Sequence, residues 1–214
     1  MSELILPKVT FKRDFRVFSK GDSISFKSPL TIITGDNGSG KSSLMACIRN
    51  IFDCDWSFSH QNSAVDVIED FIEKSKKCEY ICLSKDLLAN SPQIEFKNFS
   101  LQKRSFSLSS GQGSLLQLAA LLESAEADLY ILDEPDRGLS EAKQLIVIEL
   151  IRQLQHRKPD AQILITTHSS LIMDMVDEVL SLSSLEYMSK DKYLFLLRAK
   201  AHLEVAELKS KLEK

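Results

Sequence analysis

The sequence predicts an α/β protein whose mainly parallel sheet is covered by helices on both faces. Three observations carry that prediction. The runs "LTIIT" (30–34), "DLYILD" (128–133) and "QILITT" (162–167) are short and largely apolar, the pattern of strands buried on both sides. Segments of helical period separate them, so strands and helices alternate. With 214 residues and 43% hydrophobic content, the chain can bury one sizeable core. The expected organisation is one domain, 1–214, with a short inserted subdomain at about 53–105 and a terminal amphipathic helix at about 191–214.

In chain order, "KVTFKRDF" (8–15) and "DSISFK" (22–27) alternate polar with apolar around a Gly21-Asp22 turn, giving an antiparallel amino-terminal portion. After the 30–34 strand and a glycine-rich turn, Leu44, Ile48 and Ile51 mark one helix face. "SAVDVIEDFIEK" (63–74) places Val67, Ile68, Phe71 and Ile72 on one side and predicts an amphipathic helix. "CEYICL" (78–83) reads as a strand, and "ANSPQIEFKNFSLQKRSF" (89–106) as loop with an edge strand. Helix 112–124, strand 128–133, helix 140–156, strand 162–167, helix 169–176 and strand 178–182 follow. Leu194, Leu197, Ala201, Val205, Leu208 and Leu212 then recur at three-four spacing. That stripe packs either on its own domain or on a partner.

A net charge of −3 argues against a protein that mainly coats phosphate backbones. Cys47, Cys54, Cys78 and Cys82 form no CxxC pair, which suits reduced thiols of a cytosolic protein. "MSEL" lacks a basic stretch leading into an apolar one, so no secretory signal is expected. The stretch from Ser105 to Leu122 carries no charge, yet its serines, glycines and glutamines are too polar for a membrane span. The expectation is a soluble, cytoplasmic protein without a membrane partner.

"GDNGSGKS" (35–42) fits G-x-x-x-x-G-K-[ST] between a predicted strand and a predicted helix. Gly35, Gly38 and Gly40 permit turns that aim backbone N–H groups, including those of Asn37, Ser39 and Ser43, at phosphates. The helix amino terminus adds its positive dipole end. Lys41 can reach the β- and γ-phosphates, and the Ser42 hydroxyl can ligate Mg²⁺. "LYILDEP" sets Asp133 at a strand end to hold the metal shell and Glu134 to polarise an attacking water. Without the glycine loop, the same acidic pair would read equally well as a helix cap. His168, just past another strand, can report on the γ-phosphate.

With those motifs in this order, and with "LSSGQ" (108–112) between them, the chain resembles an ATP-binding-cassette (ABC) ATPase of the P-loop NTPase class. The resemblance covers about residues 8 to 185. "LSSGQ" is similar to the ABC signature, with Ser110 where glycine is more usual. In that family the signature closes over the γ-phosphate held by a second copy. The resemblance therefore implies that Ser109, Gly111 and Gln112 form a neutral anion receptor in trans. On that resemblance the turn is uncharged because a phosphate must fit against it; its serines also suit an N-cap for helix 112–124.

"DEPDRGLS", with Ser140, and the opening strands are similar to the soluble RecF-like and chromosome-maintenance branch. Lys12, Arg13 and Arg16 are then candidates to lie near the nucleotide. Only 67 residues separate Lys41 from Ser109, which leaves no room for long coiled-coil arms. One departure stands out. Where the family carries a Q-loop glutamine, this chain has Ser84 and Lys85, and Gln93 and Gln102 come too late. The resemblance implies an ATPase with ATP and Mg²⁺ as cofactors, a head-to-tail homodimer, and an effector partner such as a nuclease. DNA is a candidate partner, and the pathway expected is DNA repair, genome maintenance or phage defence. A transporter's nucleotide-binding subunit and a scaffold with negligible turnover are the alternatives.

Overall fold

The computed structural model describes residues 4–52, 65–67, 77–82 and 110–212. Its centre is a six-stranded sheet in the order β5-β6-β7-β3-β8-β9. These strands are β3 (Leu30–Thr34), β5 (Cys78–Cys82), β6 (Leu129–Asp133), β7 (Gln162–Thr166), β8 (Glu178–Ser181) and β9 (Glu186–Ser189). Every pairing is parallel except β8 with β9. A smaller antiparallel sheet, order β2-β1-β4, joins β1 (Lys8–Phe11), β2 (Ser23–Ser25) and β4 (Val65–Val67). The helices are α1 (Lys41–Phe52), α2 (Ser110–Ser124), α3 (Glu141–Arg157), α4 (Ser170–Met173) and α5 (Lys190–Leu212).

The apolar strand runs are buried on both faces, and the two-residue period of a strand sorts their side chains. Ile32, Tyr130, Leu132, Ile163, Ile165 and Val179 enter a cluster with Leu118 and Leu122 of α2 and Val147, Ile151 and Leu154 of α3. Their neighbours Ile33, Leu129, Ile131, Leu164 and Leu180 face the opposite way, toward Leu44, Met45 and Ile48 of α1 and Val9, Phe11 and Ile24 of the small sheet. Each such side chain contributes roughly 1.5–3 kcal/mol by leaving water. Gln162 ties the two sheets: its Oε1 accepts from Leu6 N at 2.8 Å and its Nε2 donates to Leu6 O at 3.0 Å.

The expected parallel sheet, the flanking helices and the antiparallel amino-terminal strands are all present. Four local expectations are corrected. Residues 65–67, expected in a helix over 63–74, form β4 and pair with β1 from Val9↔Val67 to Phe11↔Val65; the rest of that segment lies outside the described residues. The first strand stops at Phe11, because Phe15 and Phe18 exchange backbone hydrogen bonds of 2.8 and 3.0 Å and turn the chain. The helix expected over 169–176 is a single turn, α4, capped by the Ser169 hydroxyl. Finally, β9 was not foreseen.

The terminal helix forms as expected, but its stripe is covered only at the start. Leu194 and Leu197 pack against the core, whereas Val205, Leu208 and Leu212 are exposed. Within the segment expected as an insert, β5 is an edge strand of the main sheet. The 89–106 segment lies outside the described residues. Cys47, Cys78 and Cys82 form no disulfide among the described residues. Among the described residues no helix is long and apolar enough to cross a membrane.

Candidate nucleotide site

The carboxyl ends of β3, β6 and β7 face one edge of the sheet, where open α/β folds bind ligands. The Gly35–Ser42 loop leaves β3 there and enters α1. Gly35, Gly38 and Gly40 have φ values of +153°, +83° and +95°. A Cβ at Gly40 would lie 2.6 Å from Val17 and 2.7 Å from Phe18, so the loop needs glycine for space as well as for backbone angle. Thus the Phe15–Phe18 turn roofs the loop. From the same turn, Arg16 Nη1 donates to Ser43 Oγ at 2.9 Å, which puts Arg16 at the start of α1.

Lys41, only 5% exposed, donates from Nζ to Gly35 O at 2.9 Å and to Asp36 O at 3.1 Å. Burial lowers its pKa from the ordinary lysine value, against the raising influence of Glu134, Asp133 and Asp36. Among the described residues the ammonium therefore lacks a strong anionic partner. Within the loop the Ser39 hydroxyl is buried without a hydrogen bond. An under-compensated cation, an orphan hydroxyl and a helix amino terminus together fit a phosphate chain.

Asp133 stands at the end of β6, separated from β3 by β7. Helix α1 bridges that gap: the Ser42 hydroxyl donates to Asp133 Oδ1 at 3.3 Å. The same oxygen accepts from Thr166 Oγ1 at 2.6 Å, and Oδ2 accepts from Tyr80 OH at 3.1 Å. Burial, then the Asp133 charge, pushes the Tyr80 pKa up, so its hydroxyl remains a donor. Ser42 and Asp133 offer hard oxygens side by side, a donor set that suits Mg²⁺ completed by phosphate and water oxygens. No group of three or more His, Cys, Asp or Glu placed to hold a metal occurs among the described residues.

Glu134 follows with φ +49°, a left-handed turn that takes its side chain out of the strand direction. Its backbone N–H donates to Thr166 Oγ1 at 2.9 Å and to Thr166 O at 3.1 Å. Its carboxylate lies 3.6 Å from His168 Nε2 and 3.6 Å from Arg137 Nη1. Just beyond β7, Thr167 Oγ1 donates to Asp136 Oδ1 at 2.7 Å and fixes the loop after Glu134. Beside this cluster lies a cleft of about 220 Å³, with Ser42, Arg49, Tyr80, Asp133, Glu134 and Arg137 on its wall.

The structure thus gathers Gly35, Asn37, Gly38, Ser39, Gly40, Lys41, Ser42, Ser43, Asp133, Glu134 and His168 at one edge. Gly111 and Gln112 lie in the first turn of α2. Leu108 and Ser109 are outside the described residues, as are Ser84, Lys85, Gln93 and Gln102. Sequence reasoning missed Tyr80, Thr166 and Arg137. A polar hydroxyl inside the apolar strand "CEYIC" was the available signal for Tyr80, since a buried phenol needs a partner.

This sheet order, with its glycine loop after β3 and its acidic pair after β6, is the fold of an ABC ATPase cassette. Residues 84–174 match the family model described as "AAA domain, putative AbiEii toxin, Type IV TA system". The chain is 26% identical, over 77% of its length, to an uncharacterized ABC transporter ATP-binding protein of Methanocaldococcus jannaschii. It is 31% identical, over 39% of its length, to the energy-coupling factor transporter ATP-binding protein EcfA2 of Halalkalibacterium halodurans. It spans 29% of the length of each of these two relatives.

Among solved structures, an ATP-binding cassette of an ABC transporter superposes with a TM-score of 0.59 at 16% identity, covering 96% of this chain and 99% of that one. A nucleotide-free cassette from an ABC transporter superposes with a TM-score of 0.53 at 18% identity, covering 82% and 85%. Together these likenesses support an ABC-type ATPase.

Proposed function

We propose that the chain is an ATP-binding and ATP-hydrolysing switch that dimerises head to tail around two Mg-ATP and thereby controls a partner protein. One observation carries the reading: Ser42, Asp133, Thr166 and Tyr80 share a hydrogen-bonded cluster directly beside Glu134. Lys41 would leave the Gly35 and Asp36 carbonyls for the β- and γ-phosphates. Ser42 and Asp133 would hold Mg²⁺, which supplies charge compensation across the phosphates. Glu134 would orient and deprotonate the attacking water, with His168 sensing the γ-phosphate. Ser109 and Gly111 of a second copy would close the site, and loss of the γ-phosphate would release them.

The effector, such as a nuclease, and a role in DNA repair, genome maintenance or phage defence extend this reading, as does a cytoplasmic location. The toxin-antitoxin description of the matching family model favours the defence role. A second reading, the nucleotide-binding subunit of a transporter, is favoured by the names of the curated relatives. Stable co-purification with a membrane protein would select that reading.

Glu134→Gln is expected to bind Mg-ATP, to turn it over at least about a hundredfold more slowly, and to accumulate as a dimer. Light scattering after size exclusion reads the outcome. A Glu134→Gln protein that stays at its nucleotide-free mass under saturating Mg-ATP counts against the switch.

A further inference from the structure

The terminal helix touches the phosphate loop, and no motif in the sequence requires it to. The first turns of α5 seat Tyr193, 5% exposed, with Leu194 and Leu197 against the core. From Ala201 to Leu212 every residue is exposed, so the helix leaves the body of the protein at Lys200. There the Lys200 ammonium donates to Asp36 Oδ2. Asp36 is the loop residue whose backbone carbonyl accepts Lys41 Nζ at 3.1 Å. One loop residue is thus held at its carbonyl by Lys41 and at its carboxylate by a side chain 164 positions later.

The charges make this contact consequential. An uncompensated Asp36 carboxylate in a phosphate loop would repel a triphosphate, and the Lys200 ammonium offsets it. The two side chains are 54% and 39% exposed, so water and salt screen the pair and its effect is modest. The hydrogen bond and charge of Asp36 raise the Lys200 pKa above the ordinary lysine value, so the ammonium stays charged through the neutral range.

We propose that Lys200 is a positioning residue of the phosphate site, neutralising Asp36 and so coupling phosphate affinity to the seating of α5. The proposal rests on reading Gly35–Ser42 as the nucleotide site. Coupling is reciprocal: nucleotide binding steadies α5 around Lys200, and displacement of α5 weakens nucleotide binding. The helix therefore links the loop to the surface beyond Ala201.

The test uses the full chain and ATP bearing a fluorescent ribose label, titrated with Mg²⁺ present. Lys200→Ala is expected to weaken binding about fivefold and Lys200→Glu more, while Lys200→Arg stays near wild type. In an Asp36→Asn background, Lys200→Ala should change affinity by less than about twofold, because the charge to be offset is gone. Equal affinity of wild type and Lys200→Ala overturns the proposal. An undiminished loss in the Asp36→Asn background also overturns it, since Lys200 would then contact phosphate directly.

Hydrogen exchange supplies a second readout. Mg-ATP should slow amide exchange around Lys200 in the wild type and not in Lys200→Ala; equal slowing in both counts against the coupling. Lys41→Ala separates the two levels. If wild type binds the label no better than Lys41→Ala, the nucleotide reading fails and carries this proposal with it. If wild type binds and Lys41→Ala does not, the Lys200 series judges the coupling alone.

Discussion

Thr166 is a fully buried residue whose hydroxyl joins the two acidic residues of the site. It donates to Asp133 Oδ1 at 2.6 Å and accepts from the Glu134 N–H at 2.9 Å. Thr166→Val keeps the shape but leaves Asp133 Oδ1 only the longer 3.3 Å bond from Ser42, so urea denaturation should show a loss of about 1–3 kcal/mol, with turnover falling more than nucleotide affinity. Tyr80→Phe removes one donor from Asp133 Oδ2. The expected cost is about 1 kcal/mol, with a weaker apparent Mg²⁺ requirement seen by titrating Mg²⁺ at fixed nucleotide. An unaltered Mg²⁺ profile would remove Tyr80 from the site. Lys41 sets the pH dependence. Its folded pKa lies below the ordinary lysine value of 10.5, chiefly through burial. Between those two values the unfolded chain binds more protons, so stability rises with pH there, and at neutral pH the buried ammonium opposes folding of the empty protein. A bound phosphate supplies the missing anion and raises that pKa. Nucleotide affinity should therefore fall as pH climbs through the window beneath 10.5. Fluorescence titrations from neutral to alkaline pH check this, and a flat profile would remove Lys41 from the binding step.

Among the elements, the loop entering α1 depends on how closely the amino-terminal sheet covers it. Gly40→Ala must adopt φ +95° and meet Val17 at 2.6 Å and Phe18 at 2.7 Å. A loss of roughly 1–3 kcal/mol in thermal denaturation is expected, together with weakened phosphate binding. A fully stable variant would mean that the Phe15–Phe18 turn yields easily. The elements legible in the sequence share a cause. Strands β3, β6 and β7 are wholly buried, so local composition and final environment agree. The three residues of β4 are too few to show a period of two. There the helical spacing of Val67, Ile68, Phe71 and Ile72 misleads, because pairing with β1 decides the outcome. Strand β9 is a four-residue edge running straight into α5, and only its antiparallel partner β8 defines it. The site divides in the same way. Loop, acidic pair and histidine are read from contiguous residues, whereas Tyr80, Thr166 and Lys200 act through partners 53, 33 and 164 positions away.

At the scale of the whole molecule, the question is whether one copy can complete its own site. The described residues place Gly35–Ser43, Asp133, Glu134 and His168 at one edge, and they place Gly111 and Gln112 at the start of α2. If the signature serves a second copy and the two sites act independently, two separately inactive variants must complement each other. Lys41→Ala removes phosphate binding while leaving its signature intact, and Ser109→Arg puts a cation into the signature while leaving its P-loop intact. A mixed dimer then contains one competent site, built from the P-loop of the second variant and the signature of the first. The other site carries both defects. Random mixing of equal amounts makes about half of the dimers mixed, each with one of two sites working, so roughly a quarter of wild-type turnover should return where the sites act independently. Sites that must fire together would return none from the same mixed dimers. The Ser109→Arg protein alone, titrated with labelled ATP, checks that its P-loop is intact, because it should still bind nucleotide through Lys41. If Ser109→Arg binds nucleotide, mixed dimers form and Glu134→Gln does not accumulate as a dimer, the signature has no role in trans and each copy must close its own site.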